Sequence, residues 1–134
     1  MRLWHKALIP YLPRQQLIAQ WRECCCIARN IAVNGSPNHI LVNQIMNYPL
    51  SHFQTYAQMI FVECVIRGYE VNLNNFCKWI SSDFEPVADN ELFKNWHDIR
   101  YFWQCYYNLE EKYFCGGIEQ EEWELLCDEF CEWL

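Results

Sequence analysis

Apolar side chains recur at three- and four-residue steps along almost the whole of this 134-residue chain, and that period admits helices and little else. Leu17, Trp21, Cys24, Ala28 and Ile31 form one such stripe and predict a first helix over 13–32. Pro13 stands near its start, where a missing N–H costs little. Asn34-Gly35-Ser36-Pro37 breaks the pattern. Ser36 as cap and Pro37 behind it predict a short helix to about Asn47. Pro49 opens a third helix ending near Arg67, with Phe53, Tyr56, Ile60, Cys64 and Val65 as apolar positions and Gly68 just past its end. A short helix over 73–81 follows, capped by Asn72, and Ser82 to Ala88 reads as a turn. Asp89 is read as the cap of a long helix from Asn90 to about Phe114, stopped by Gly116-Gly117. The last helix runs from Glu119 to the C-terminus, its first turn carrying Glu119, Glu121 and Glu122, where acids suit the helix dipole. The fold class is therefore all-α: a single compact domain of about five or six helices.

Composition closes off other classes. At 52% hydrophobic residues the chain can bury a core, which excludes a wholly disordered protein. The uncharged run from Asn30 to Val62 is interrupted by Asn, Gln, Ser, His and two prolines, so it is no bilayer span. Met1-Arg2-Leu3-Trp4-His5 has no apolar signal core, and a cytoplasmic location is expected. Nine cysteines is an odd count, so internal pairing cannot be complete. Cys127 and Cys131 are spaced for two zinc ligands, but nothing nearby completes a site. Buried reduced thiols and no metal are the expectation. His39, His52 and His97 show no ligand spacing and are read as structural. No cofactor-binding motif is found.

Charge is divided unevenly along the chain. Residues 1–67 hold six cations and two acids, for +4; residues 68–134 hold four cations and fifteen acids, for −11. The single domain thus reads as a basic part, 1–70, and an acidic part, 71–134. The split suggests two faces with different partners, the acidic one turned away from any polyanion, or equally a solvated acidic tail helix on an otherwise ordinary domain. On the first helix Gln15, Arg22 and Arg29 are seven residues apart and share one face, with Arg14 at its border. Such a face can hold phosphates, or it can simply be solvated. Glu23 is the only acid before Val62. A lone carboxylate among cations has two readings, a catalytic group or an ion pair with a neighbouring arginine.

The stretch Leu12-Pro13-Arg14-Gln15-Gln16-Leu17-Ile18-Ala19-Gln20-Trp21-Arg22-Glu23 resembles the first-helix motif of the pyrimidine-dimer DNA glycosylase/AP lyases, the phage-type repair enzymes. The opening Met1-Arg2-Leu3-Trp4-His5 and the later Glu63-Cys64-Val65-Ile66-Arg67-Gly68-Tyr69 are similar to that family's pattern. His97-Asp98 with Cys105-Tyr106-Tyr107-Asn108-Leu109-Glu110 resembles a shorter bacterial branch of it. The likeness is good over about the first 70 residues and loose beyond.

This resemblance implies an all-α fold and a two-step reaction on double-stranded damaged DNA, at pyrimidine dimers or abasic sites. The N-terminal α-amine attacks C1′, the base leaves, a Schiff base forms and β-elimination nicks the strand. Mapped here, the amine is that of Met1 and the assisting glutamate is Glu23. Arg2 is too bulky for methionine removal, so Met1 is expected to stay. A free α-amine titrates near 7.7–8.0 in water, which leaves a nucleophilic fraction at neutral pH. Arg2, Arg14, Gln15, Arg22 and Arg29 are the expected DNA contacts, Arg29 standing in for a family cation replaced at Cys26. His5 is a possible neighbour of the site, and Trp4 could stack on a base or cover the core. The basic family C-terminus is replaced here by an acidic helix. The alternative reading is therefore a non-catalytic helical interaction module whose acidic C-terminal helix docks a basic protein partner.

Overall fold

A computed structural model describes residues 1–133 and contains no strand among them. An extended N-terminal segment leads into a 3-10 turn, Lys6–Tyr11. Helix α1 spans Arg14–Asn34 and α2 spans Leu50–Ile66, with a 3-10 turn, Asn43–Asn47, before α2. The short α3, Asn74–Cys77, is followed by consecutive turns, then α4, Ile99–Phe114, and α5, Gln120–Phe130. Position 134, the end of the last predicted helix, lies outside the described residues.

α1 and α2 make the central pair, each entered through a proline and left through a glycine with φ of 80°. Gly35 donates its N–H to the Ile31 carbonyl (3.0 Å), closing the last turn of α1 in a left-handed conformation that favours glycine. The buried face of α1 is Leu17, Gln20, Trp21, Cys24, Ile27 and Ala28. Gln20 and Ile27 join the stripe the spacing predicts. Ile31 is only partly covered, and on α2 Val65 faces solvent. Arg67 forms an ion pair with Glu63 (2.9 Å) and donates to the carbonyls of Leu12 and Pro10. The Glu63…Arg67 motif therefore ties the end of α2 to the N-terminal 3-10 turn.

Three predicted helices are shorter than expected. The one over 73–81 is helical only at Asn74–Cys77, with Asn72 Oδ1 accepting the Asn74 N–H (2.9 Å) at its start. Over 37–47 only Asn43–Asn47 coils, because Asn38 sits at φ 63° and turns the chain off the helical path. The helix expected from Asn90 begins at Ile99. Phe93 and Asn95 have φ of 50° and 73°, left-handed values no helix interior accommodates. Residues 89–96 are instead folded as turns that deliver Phe93, Trp96 and His97 into the core. The cap of α4 is Asp98, whose carboxylate accepts from the Tyr101 N–H (2.9 Å), not Asp89. Asp98→Ala is expected to cost about 1 kcal/mol in urea unfolding, and Asp89→Ala to leave the midpoint unchanged.

His97 sits at the centre of this aromatic core, stacked on His5 (5.1 Å between ring centres) with Tyr56, Phe93 and Tyr101 around it. Its Nδ1 accepts from the Lys6 N–H (3.0 Å). Burial, then the nearby His5 and Lys6, pushes this imidazole down to about 2. An unfolded histidine titrates near 6.5, so between those values only the unfolded chain takes up the proton. Stability is thus full above about pH 6.5 and falls as the pH drops, by about 1.4 kcal/mol per unit for this group. Urea midpoints between about pH 7 and 5 should show that slope, and His97→Gln should flatten it. Equal slopes in the two proteins would refute the assignment.

His39 and His52 likewise accept backbone N–H groups through Nδ1, from Leu41 and Phe93. All nine thiols are free. Cys24, Cys64 and Cys105 are buried, but Cys26, Cys115 and Cys131 are exposed, so burial accounts for only part of the set. No group of three or more His, Cys, Asp or Glu among the described residues is placed to hold a metal ion. No helix among them is long and apolar enough to cross a membrane.

Candidate active site

The site begins with how the N-terminal segment is pinned. Gln20 is fully buried on α1 and makes three bonds with one amide. Its Oε1 accepts from the Trp4 N–H (2.8 Å), and its Nε2 donates to the Arg2 carbonyl (2.9 Å) and to Glu23 Oε2 (2.8 Å). The Tyr56 hydroxyl donates to the Trp4 carbonyl (2.6 Å) and also faces Gln20 Oε1 (2.8 Å). Tyr101 donates to the Leu3 carbonyl (2.6 Å). Residues 2 to 6 therefore have nearly every turn of their backbone fixed by a buried side chain from α1, α2, α4 or the His97 turn. Gln20 was hidden in the sequence as one polar residue in an apolar stripe. Its place at i+3 from Leu17 and i−4 from Cys24 is the signal that marks it as buried.

This anchoring brings the start of the chain to Glu23. Burial pushes the Glu23 carboxyl above its usual range. The Met1 α-ammonium opposes that most, followed by Lys112, Arg22 and the bond from Gln20. Glu23 lies in a groove of about 630 Å³ whose wall is the first half of α1. Arg14, Gln15 and Arg22 line it, as three of the five expected DNA contacts. Trp4 lines it too, although it is only 6% exposed. Arg2 lies with its guanidinium over the Trp4 ring (5.7 Å). Arg29 is not in the groove; it lies 6.0 Å over the Trp79 ring, further along α1. His5 is buried against His97 and Phe102 rather than lining the groove, and its Nδ1 caps the first 3-10 turn through Ala7.

The opposite wall overturns the expectation that the acidic part of the chain faces away. Lys112 at the end of α4 lines the groove together with Glu119 and Glu122 at the start of α5. Glu122 Oε2 accepts the Arg14 N–H at 2.5 Å, across 108 residues of sequence. Among the described residues the ion pairs are Glu63–Arg67 and Glu91–Lys94, so Arg14, Arg22 and Lys112 make no direct ion pair, and the groove sets these three cations against the carboxylates of Glu23, Glu119 and Glu122. Gln16 Oε1 is buried at the groove wall with no hydrogen-bond partner among those residues.

Comparison with known families decides the assignment. Residues 1–76, more than half the chain, match the family described as pyrimidine dimer DNA glycosylase. The chain belongs to that family. Neither a curated protein nor a solved structure matches it. The glycosylase-family match takes in α1, α2 and the opening of α3, and so the Gln20 network, Glu23, Arg22 and the Glu63–Arg67 tie. Lys112, Glu119 and Glu122 lie beyond it, on the part of the chain that completes the groove.

Proposed function

We propose that the chain is a DNA repair glycosylase/AP lyase whose nucleophile is the Met1 α-amine and whose proton-transfer group is Glu23. The observation that carries this reading is the Gln20 amide, bonded at once to the Glu23 carboxylate and the Arg2 carbonyl. It couples the chain start to the one carboxylate on α1. The amine nitrogen bonds to C1′ of the damaged nucleotide as the glycosidic bond breaks, and the base leaves with the bonding electron pair. C1′ is then still bonded to the ring oxygen; Glu23 delivers the proton on which the C1′–O4′ bond breaks, the ring opens, and the cationic imine forms beside its carboxylate. Glu23 then accepts the proton lost from C2′, after which the 3′ C–O bond breaks. A carboxyl held above its usual range suits that work, because efficient transfer needs a pKa nearer the working pH. Arg14, Gln15, Arg22 and Lys112 supply phosphate contacts, and Trp4 offers a ring edge to the displaced nucleotide. Nine free thiols fit a reducing, cytoplasmic setting.

Borohydride reduction on abasic-site duplex tests it. The untagged protein should become covalently joined to the DNA, and the α-acetylated protein should not. If the acetylated protein is captured equally well, the nucleophile is a lysine, and Lys112 is the one in the groove. If neither protein is captured on abasic or dimer-containing DNA, a helical interaction module docking a basic partner takes the place of this reading.

A further inference from the structure

A second cavity lies on the far side of α1 from Glu23. Trp21, which lines it, and Glu23 are two residues apart on that helix, so their side chains point about 160° apart. The cavity holds about 190 Å³ and shares no lining residue with the groove. Its walls are aromatic. Trp21 stands 5.2 Å from Phe61 and 6.0 Å from Phe76 between ring centres, and Phe84 joins them from the irregular segment after α3. Two buried side chains of α2 hold that segment in place. Gln54 Nε2 donates to the Ser81 carbonyl (2.8 Å), and Thr55 Oγ1 accepts from the Val87 N–H (3.0 Å). A carbonyl only accepts, so the Gln54 amide is oriented with Nε2 toward Ser81 and Oε1 away from it. Gln54 is 7% exposed, and no N–H or O–H among the described residues donates to that Oε1. The oxygen is not sealed inside the protein, so it opens on the cavity that Gln54 lines.

We propose that this cavity binds a small, neutral, planar heteroaromatic ring that carries an N–H. None of its lining residues is charged, so an ionised ligand would lose its hydration without gaining a counter-charge. The Trp and Phe walls pack best against another ring, offset or edge-on. The volume admits one ring system and no more, since a cavity of about 150 Å³ takes benzene. The unmet Gln54 Oε1 calls for a donor, because a buried acceptor left without one costs free energy. Gln58 and Ser82 are exposed at the rim and leave an entrance. The site is separate from the DNA-repair reading, which it neither needs nor alters.

Indole and benzofuran test it, because they share a shape and differ in an N–H against an oxygen. Titration of the full chain, followed through its amide N–H chemical shifts by NMR, should show indole binding saturably at one site, with the largest shifts at Trp21, Gln54 and Phe76. Benzofuran should bind about two- to tenfold more weakly, the worth of one hydrogen bond. Gln54→Leu removes the acceptor and should bring the two affinities together. N-acetyltryptophan amide, the same ring on a peptide, should be excluded by its backbone atoms. Equal affinity of the wild type for indole and benzofuran overturns the inference, and so does a preference for indole that survives in Gln54→Leu. Shifts centred on other residues, or no saturation up to the solubility of indole, overturn it as well. N-acetyltryptophan amide binding as tightly as indole would make the cavity a seat for a partner protein's side chain and would also overturn it. Should Gln54→Leu fail to fold, the comparison of probes on the wild type still decides.

Discussion

Glu23→Gln is expected to cut strand nicking on abasic DNA by about 10²–10⁴-fold, the usual worth of a positioned proton-transfer group. The substitution keeps the length of the side chain and an oxygen for the Gln20 Nε2, so the N-terminal segment stays pinned. What it removes is the negative charge beside the imine and the capacity to accept a proton. Both matter in the transition state more than in the bound ground state, so affinity for uncleavable abasic duplex should stay within a few-fold of wild type. Removal of a carboxylate from a groove lined by Arg14, Arg22 and Lys112 can even tighten binding. The decisive comparison is single-turnover nicking against equilibrium binding. Should both fall by the same factor, Glu23 holds DNA or the fold and does not take part in the chemistry.

Gln20→Ala is the second large effect, and it acts on stability and chemistry together. The Trp4 N–H, buried at that point, loses its acceptor. An orphaned buried donor costs about 1–3 kcal/mol, and truncation of a fully buried side chain adds a cavity. The Arg2 carbonyl and the Glu23 carboxylate lose their common donor at the same stroke. With the chain start free to shift by about 1 Å, imine formation should slow by about 10²-fold. Tyr56→Phe is the milder companion, because Gln20 still holds Trp4 when the hydroxyl is gone. Urea unfolding and borohydride capture rates measure the two effects separately. Capture at the wild-type rate by a folded Gln20→Ala protein would rule out a positioning role for this amide.

Much of the fold was legible because it rests on period. The α1 and α2 stripes, their proline entries and their glycine exits are local signals, and the structure follows them to within a residue or two. Two of the misread segments, 37–47 and 90–98, share one cause. Asn38, Phe93 and Asn95 adopt positive φ, and a phenylalanine gives no warning of that in sequence. Phe93 takes the conformation because full burial among Tyr48, Tyr56, Trp96 and His97 outweighs the backbone cost. Asp89 and Asp98 are equally good caps on paper, and only that kink selects the second.

The candidate site divides in the same way. Glu23, Arg22, Arg14 and Gln15 are neighbours on one helix, so spacing finds them. Lys112 and Glu122 reach the groove across about a hundred residues, where no period operates. Counting charge by halves of the sequence treats halves as faces, but the α4–α5 corner folds back onto the start of α1 and mixes them.

That corner also sets when the site can exist during synthesis. The contacts from Tyr101 to Leu3 and from Glu122 to Arg14 close loops of nearly the whole chain, and the loop-closure entropy is offset only after the last helices leave the ribosome. A nascent chain ending after α3 already carries the complete family segment, yet Leu3 lacks its hydroxyl donor and the groove lacks a wall. Gln20 and Tyr56 already pin residues 2 to 4 at that stage, but the Tyr101 donor and the far wall of the groove are made last. On the proposed mechanism, a chain that stops after α3 would carry an anchored N-terminus and Glu23 but an open groove, without Lys112, Glu119 and Glu122.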